Sequence, residues 1–226
     1  MMTPHMLTGK ADGHLVPVTG SGNHRLQAEA ATAFAGLQQS ARRQGFNLQP
    51  ASSFRDFERQ RLIWNGKFRA ERPLLDSNSR PLDARKMTVE ARCHAILHWS
   101  ALPGASRHHW GTDLDIFDPD ALPAGKTLQL EPGEYLTGGY FADLTAWLGR
   151  HMADYDFYRP YEVYRGGVAP EPWHLSYRPL AQLAMQQLTP DLILASWTEQ
   201  DVAGEEWLIP HLPDLFNQYI LNVEKE

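Results

Sequence analysis

The sequence predicts an α+β protein in which helices and a few strands mix without strict alternation. Three observations lead there. Apolar residues recur at helical spacing in several stretches, most clearly Leu26, Ala30, Ala33, Phe34, Leu37 and Ala41. Other stretches alternate like half-buried strands, as residues 112–117 do. No repeat or low-complexity tract interrupts the 226 residues, which suffice for one sizeable core.

Residues 1–24 are rich in Gly, Pro and Ser and show little periodicity, so they read as a loop with one short strand at 15–18. A helix is expected over 25–44, where Gly45 stops it. A short strand follows at 46–51, and a second helix runs from 52 through Trp64. Residues 73–86 are polar and punctuated by proline, which marks a surface loop. The helix expected at 88–99 is broken by Leu102-Pro103-Gly104-Ala105. The strand at 112–117 puts Thr112, Leu114 and Ile116 on one face and Asp113, Asp115 and Phe117 on the other. A helix over 141–151 comes next, then an aromatic extended segment at 157–164 that ends at Gly166-Gly167. Helices at 180–188, 189–199 and 212–223 complete the chain. The expected division is an extension over 1–24, one domain over 25–180 and a helical extension over 181–226. The last carries Trp197, Trp207, Ile209, Leu215, Phe216 and Ile220, too apolar for disorder, and is expected to pack on the domain or form a dimer contact.

Composition excludes some partners. A net charge of −6 offers no electrostatic attraction to nucleic acid or to an anionic membrane surface. No apolar run approaches the ~18 residues of a membrane helix. One cysteine, Cys93, precludes an intrachain disulfide and suits a reducing compartment. The first residues lack a basic stretch followed by an apolar one, so no secretory signal is seen and a cytoplasmic location is expected, a periplasmic one less so.

The chemistry concentrates in two motifs. Ser106-Arg107-His108-His109-Trp110-Gly111-Thr112-Asp113-Leu114-Asp115 is answered later by Glu171-Pro172-Trp173-His174. Two imidazoles, a carboxylate and a spare glutamate are what a catalytic zinc requires: three protein ligands, an open fourth position and a nearby base. Metal ligands His108, Asp115 and His174 are therefore expected, with Glu171 as catalytic base and one Zn2+ as cofactor. Gly111 allows a sharp turn between His108 and the strand. Glu171 and His174 are three residues apart, so a turn or kink at Pro172-Trp173 is needed to bring both over one metal. His109 adjoins His108 and cannot easily share its metal, which makes it a supporting or pocket-wall residue. The i,i+4 pair His94 and His98 beside Cys93 is a rival, but Ala95 stands where a His-Glu-x-x-His site has its glutamate; a packed helix face explains the pair better.

The gapped pattern Ser-x-His-x6-Asp followed by Glu-x-x-His resembles the VanY-type D-alanyl-D-alanine carboxypeptidases, zinc peptidases that trim peptidoglycan stem peptides. The segment Ser52-Ser53-Phe54-Arg55-Asp56-Phe57-Glu58-Arg59-Gln60 is similar to the family's Ser-Gly-Tyr-Arg-Ser-x-x-x-Gln, with Ser53 in place of glycine. The resemblance covers about residues 25–180. It implies a Hedgehog/DD-peptidase-like single zinc domain: a small antiparallel sheet with packed helices and the metal in a groove on the sheet. It also implies that Arg55, Ser106 and Gln60 bind substrate, Arg55 aimed at a free carboxylate or at the oxyanion. Asp113 departs from the family's usual alanine. Its Cα lies ~6.5–7 Å from that of Asp115 on the same strand face, where it can orient a histidine, touch substrate or raise neighbouring pKa values. The expected function is a zinc carboxypeptidase that removes a C-terminal D-amino acid from a peptidoglycan stem peptide or muropeptide, favoured as an L,D-carboxypeptidase on recycled tetrapeptides. A D,D-carboxypeptidase or dipeptidase, a phage-type endopeptidase and a non-catalytic wall-peptide binder are the alternatives; an intact Glu171 argues against the last.

Overall fold

The structure is a computed structural model and describes residues 1–224. A single helical turn, α1 (Pro4–Leu7), is capped by the Thr3 side chain and leads into strand β1 (Leu15–Pro17), which pairs with β2 (Arg25–Gln27). Residues 25–27 are thus strand, although the apolar periodicity of the following helix extends back through Leu26. Helix α2 (Ala28–Arg43) begins only after this pairing ends and buries Ala30, Phe34, Leu37 and Ala41 along one face. Gly45 follows it with φ +88°, the left-handed conformation a helix stop favours. Strand β3 (Gln49–Ser52) precedes α3 (Phe57–Phe68), whose N-terminus is capped by Asp56.

The region expected to be plain loop, 73–86, holds a small hairpin of β4 (Leu74–Leu75) and β5 (Pro81–Leu82), then a 3-10 turn. Leu74 is buried there, so the hairpin is anchored by one apolar side chain that the polar composition conceals. Helix α4 (Val89–Leu97) is capped by Thr88. A 3-10 turn at Arg107–Trp110 leads through Gly111 into β6 (Asp113–Phe117). The short α5 (Pro132–Tyr135) and α6 (Ala142–His151) follow. Of the aromatic 157–164 segment only β7 (Phe157–Tyr158) is strand, and β8 (His174–Tyr177) is a strand that periodicity alone did not reveal. Helices α7 (Arg178–Gln187), α8 (Pro190–Trp197) and α9 (Glu205–Leu215) end the chain, and a π-helical turn at Phe216–Ile220 extends α9. Helix α9 thus starts well before residue 212, with Pro210 and Pro213 inside it.

The main sheet is antiparallel, in the order β3-β6-β8-β7. Its register carries the site. Leu114 is paired with Leu175, and Asp115 with His174. Directly opposed residues share a face. The Leu114, Ile116 and Leu175 face is therefore buried against α2 and α6, in a cluster with Phe34, Leu37 and Trp147. The other face carries Asp113, Asp115, His174 and Ser176. A second apolar cluster joins α3, α4 and the C-terminal helices through Trp64, Ile96, Ile193, Trp197, Leu208 and Leu212. Polar contacts fasten the same junction: Trp64 Nε1 donates to Ala203 O, while the Asn65 amide donates to Asp201 O and accepts from Ala203 N. Residues 1–24 also enter the packing, with Leu7 in the second cluster and Val18 in the first.

Candidate metal centre

Sheet register and two turns bring His108, Asp115 and His174 together. Each offers a ligand atom, and these atoms all lie within 4.8 Å of one another. His108 Nε2 is 3.4 Å from Asp115 Oδ2, and His174 Nδ1 is 3.3 Å from Asp115 Oδ1. Donors placed tetrahedrally about 2.0–2.2 Å from a zinc ion would be about 3.4 Å apart, so these two separations suit one cation.

The hydrogen bonds decide which nitrogen of each ring is free. His108 Nδ1 donates to Ser53 O at 2.9 Å, which leaves the Nε2 lone pair facing Asp115. His174 Nε2 donates to Asp113 Oδ1 at 2.9 Å, which leaves Nδ1 facing Asp115 and Glu171. Carboxylate or carbonyl partners behind metal-ligating histidines fix the ring and raise its basicity in this way. His109 has no such free nitrogen: Nδ1 donates to Arg55 O and Nε2 accepts from Gly104 N. Burial pushes its imidazole down to about 3, so it stays neutral. Fully buried, it braces the Arg55 backbone and is not a pocket wall.

Charge points the same way. Burial alone would lower the His174 pKa, yet the surrounding carboxylates of Asp113, Asp115 and Glu171 hold it well above the ordinary value, drawing a cation, proton or metal, to Nδ1. Burial would raise the Asp115 pKa, but the two histidines keep it far below the usual carboxylate range. The cluster is rich in acid and favours a positive charge at its centre.

Glu171 meets its steric requirement through a turn. The His174 N–H donates to Glu171 O at 3.1 Å, and Glu171 Oε2 lies 3.2 Å from His174 Nδ1. The turn is held from behind, since Arg159 Nε donates to Pro172 O and the Glu171 N–H donates to Tyr161 O.

Asp113 orients His174. Its charge is matched by Arg107, whose Nε donates to Asp113 Oδ1 at 2.8 Å and whose Nη2 reaches Ser176 and Tyr158. Burial would raise the Asp113 pKa, but Arg107 and His174 hold it well below the carboxylate range, so the like-charge repulsion considered from sequence is neutralised. Arg107 and Arg159 are the supporting residues that motif reading missed. A buried extra carboxylate such as Asp113 demanded a cation, and the residue before His108 supplies it.

Of the residues expected to meet substrate, Arg55 and Ser106 line the cleft above the three donors, which has a volume of about 300 Å³. Arg55 donates to Gln60 Oε1 and Ser52 Oγ, and its Nη2 lies 3.9 Å from Asp115 Oδ2. Gln60 stands elsewhere than expected. It is fully buried outside the cleft lining and spends its amide on Arg55 and on Ala101 O, so it steadies Arg55 and has no face toward a ligand. The rival pair does not converge. His94 pairs with the Tyr219 hydroxyl, His98 with Gly167 O, and burial pushes the Cys93 thiol up to about 12.

The sequence profile of the VanY D-alanyl-D-alanine carboxypeptidases matches residues 23–180. The chain belongs to the VanY family. Two uncharacterised proteins of Haemophilus influenzae are related to this VanY-family chain. One is 47% identical over 122 residues, which is 53% of this chain and 93% of the relative. The other is 58% identical over 103 residues, 45% of this chain and 70% of the relative. Among solved structures, VanYB in complex with D-Ala-D-Ala superposes with a TM-score of 0.54 at 22% identity, covering 88% of this chain and 90% of VanYB. The L,D-carboxypeptidase LdcB gives 0.55 at 19% identity, covering 86% and 81%. A mutant of the D,D-pentapeptidase VanY in complex with Zn(II) gives 0.51 at 23% identity, covering 87% and 90%. The VanY-type fold expected from the motifs is the fold observed.

Proposed function

We propose that this VanY-family chain is a zinc carboxypeptidase that removes a C-terminal D-amino acid from peptidoglycan-derived peptides. The observation that carries the reading is the convergence of three free ligand atoms with a carboxylate base beside them, His174 Nδ1 lying 3.2 Å from Glu171 Oε2. His108 Nε2, Asp115 and His174 Nδ1 would hold the ion. Zinc at that point supplies Lewis acidity toward a carbonyl oxygen and a water molecule. Glu171 takes a proton from the attacking water at Oε2 and returns it to the leaving amine nitrogen, so the water adds across the broken C–N bond. Arg55, held by Gln60 and Ser52, offers its remaining N–H groups to the oxyanion. Ser106 bonds the terminal residue.

The finer reading is L,D-cleavage of tetrapeptides during murein recycling. It rests on a cytosolic setting, in which a trimming enzyme meets soluble wall fragments; cell fractionation tests that setting. Mass spectrometry of zinc-loaded protein with defined muropeptides, with and without chelator, tests the activity. Release of D-Ala from tetrapeptides supports L,D-cleavage, and release only from pentapeptides replaces it with D,D-cleavage. No release from either removes the peptidase reading. Arg55→Ala should abolish most turnover; cleavage of internal bonds by the wild type would favour an endopeptidase.

A further inference from the structure

A second cation shares the cleft and has no salt-bridge partner among the described residues. Helix α3 turns Gln60, Ile63 and Lys67 toward residues 100–106, and Lys67 lines the same cleft as Arg55, Ser106 and Glu171. Lys67 is half-buried, and its Nζ donates to Ser100 Oγ at 2.7 Å. Among the described residues that is its one hydrogen bond, and no carboxylate stands within 4.0 Å of the ammonium. An ammonium carries three donors. Drawing it out of water without a counter-ion is costly, and burial pushes it down to about 8 despite the attraction of Glu171. Arg55 and Arg72 repel it, which offsets part of that attraction. Arg55, by contrast, is tied beside Asp115 at the rim of the metal centre. The two cations therefore occupy different stations along one cleft.

We propose that Lys67 is a specificity residue whose ammonium receives a free carboxylate of the bound peptide, which leaves Arg55 to face the scissile carbonyl. The proposal rests on the peptidase reading and deepens it by assigning the substrate a second anionic contact. That carboxylate has two sources, the terminal α-carboxylate of the departing D-amino acid and the side-chain carboxylate of a diamino diacid within the stem.

Four tetrapeptides separate them: free acid and C-terminal amide, each with diaminopimelate or lysine at the third position. Zinc-loaded wild type, Lys67→Met and Lys67→Arg are compared for kcat and KM. Binding is measured apart from turnover by calorimetry, with the same Lys67 changes placed in a Glu171→Gln background. Lys67→Met should raise KM and weaken binding about tenfold to a hundredfold for the peptide bearing the recognised carboxylate. Its kcat should change little, and Lys67→Arg should recover most of the loss, which a merely structural lysine would not require. Lost discrimination between acid and amide assigns the terminal carboxylate; lost discrimination between diaminopimelate and lysine assigns the side chain. Unchanged discrimination of both kinds overturns the proposal. If Lys67→Met does not fold, Lys67→Gln, which keeps a donor for Ser100, carries the same comparison. If the wild type releases no amino acid, the peptidase reading fails on that result alone, and calorimetry still decides whether Lys67 binds a carboxylate.

Discussion

His108 and His109 are chemically identical neighbours with opposite fates, and the difference lies in what stands behind each ring. One keeps a lone pair for the centre; the other spends both nitrogens on backbone. The motif spacing made the grouping of His108, Asp115 and His174, with Glu171 beside them, legible, because a metal takes few kinds of donor. The supporting roles were less legible. Gln60 reads as a substrate contact, and Arg107 and Arg159 do not stand out at all, because their contacts to Ala101, to Tyr158 and Ser176, and to Pro172 are distant in sequence and no local pattern encodes them. Asp113→Ala should therefore do more than shorten a side chain. It strands the buried Arg107 guanidinium, at a cost of about 3–5 kcal/mol in urea unfolding, and frees the His174 ring, lowering zinc affinity about 10–100-fold in a competitive chelator titration. Glu171→Gln should keep zinc stoichiometry by atomic absorption while turnover falls about 10²–10⁴-fold. Lys67 gives a pH signature. Its folded pKa of about 8 lies below the ordinary 10.5, so between those values the unfolded chain binds more protons and stability rises with pH. Urea midpoints at pH 7 and pH 9.5 should show wild type gaining on Lys67→Met as pH increases.

At the scale of elements, the antiparallel register of β6 and β8 delivers Asp115 opposite His174, and the alternation of residues 112–117 showed this face in advance. Strand β2 was concealed because its pattern merges with that of α2; pairing with β1, a tertiary event, overrides it. The β4–β5 hairpin was hidden by polar composition, and the start of α9 by Pro210 and Pro213, which argue against a helix that packing nevertheless enforces. The segment after α1 bears on the site more than its loop-like composition suggested. Gly9 has φ +77°, and a Cβ there would fall 2.3 Å from His109 Nδ1 and 2.8 Å from Phe57 N. Gly9→Ala should displace the ring that steadies the Arg55 backbone. The expected outcome is a lower Tm in calorimetry and a reduced kcat/KM, with zinc content preserved.

At the scale of the whole molecule, the tail completes the apolar cluster that joins α3 and α4 to the C-terminal helices. Leu208, Leu212, Leu215, Phe216 and Ile220 are buried, each contributing about 1.5–3 kcal/mol, against a typical net stability of 5–15 kcal/mol. A chain ending at residue 200 should lose its cooperative transition by circular dichroism. Among the described residues no helix is long and apolar enough to cross a membrane. Tyr219 and Ile220 also form part of the cleft wall, and this has a bearing on the order in which the protein is made. Synthesis proceeds from the N-terminus, so a nascent chain already carries His108, Asp115, His174, Glu171, Arg55 and Lys67 while the far wall is still untranslated. The trough stays open on one side until residues 219 and 220 have emerged and packed against it.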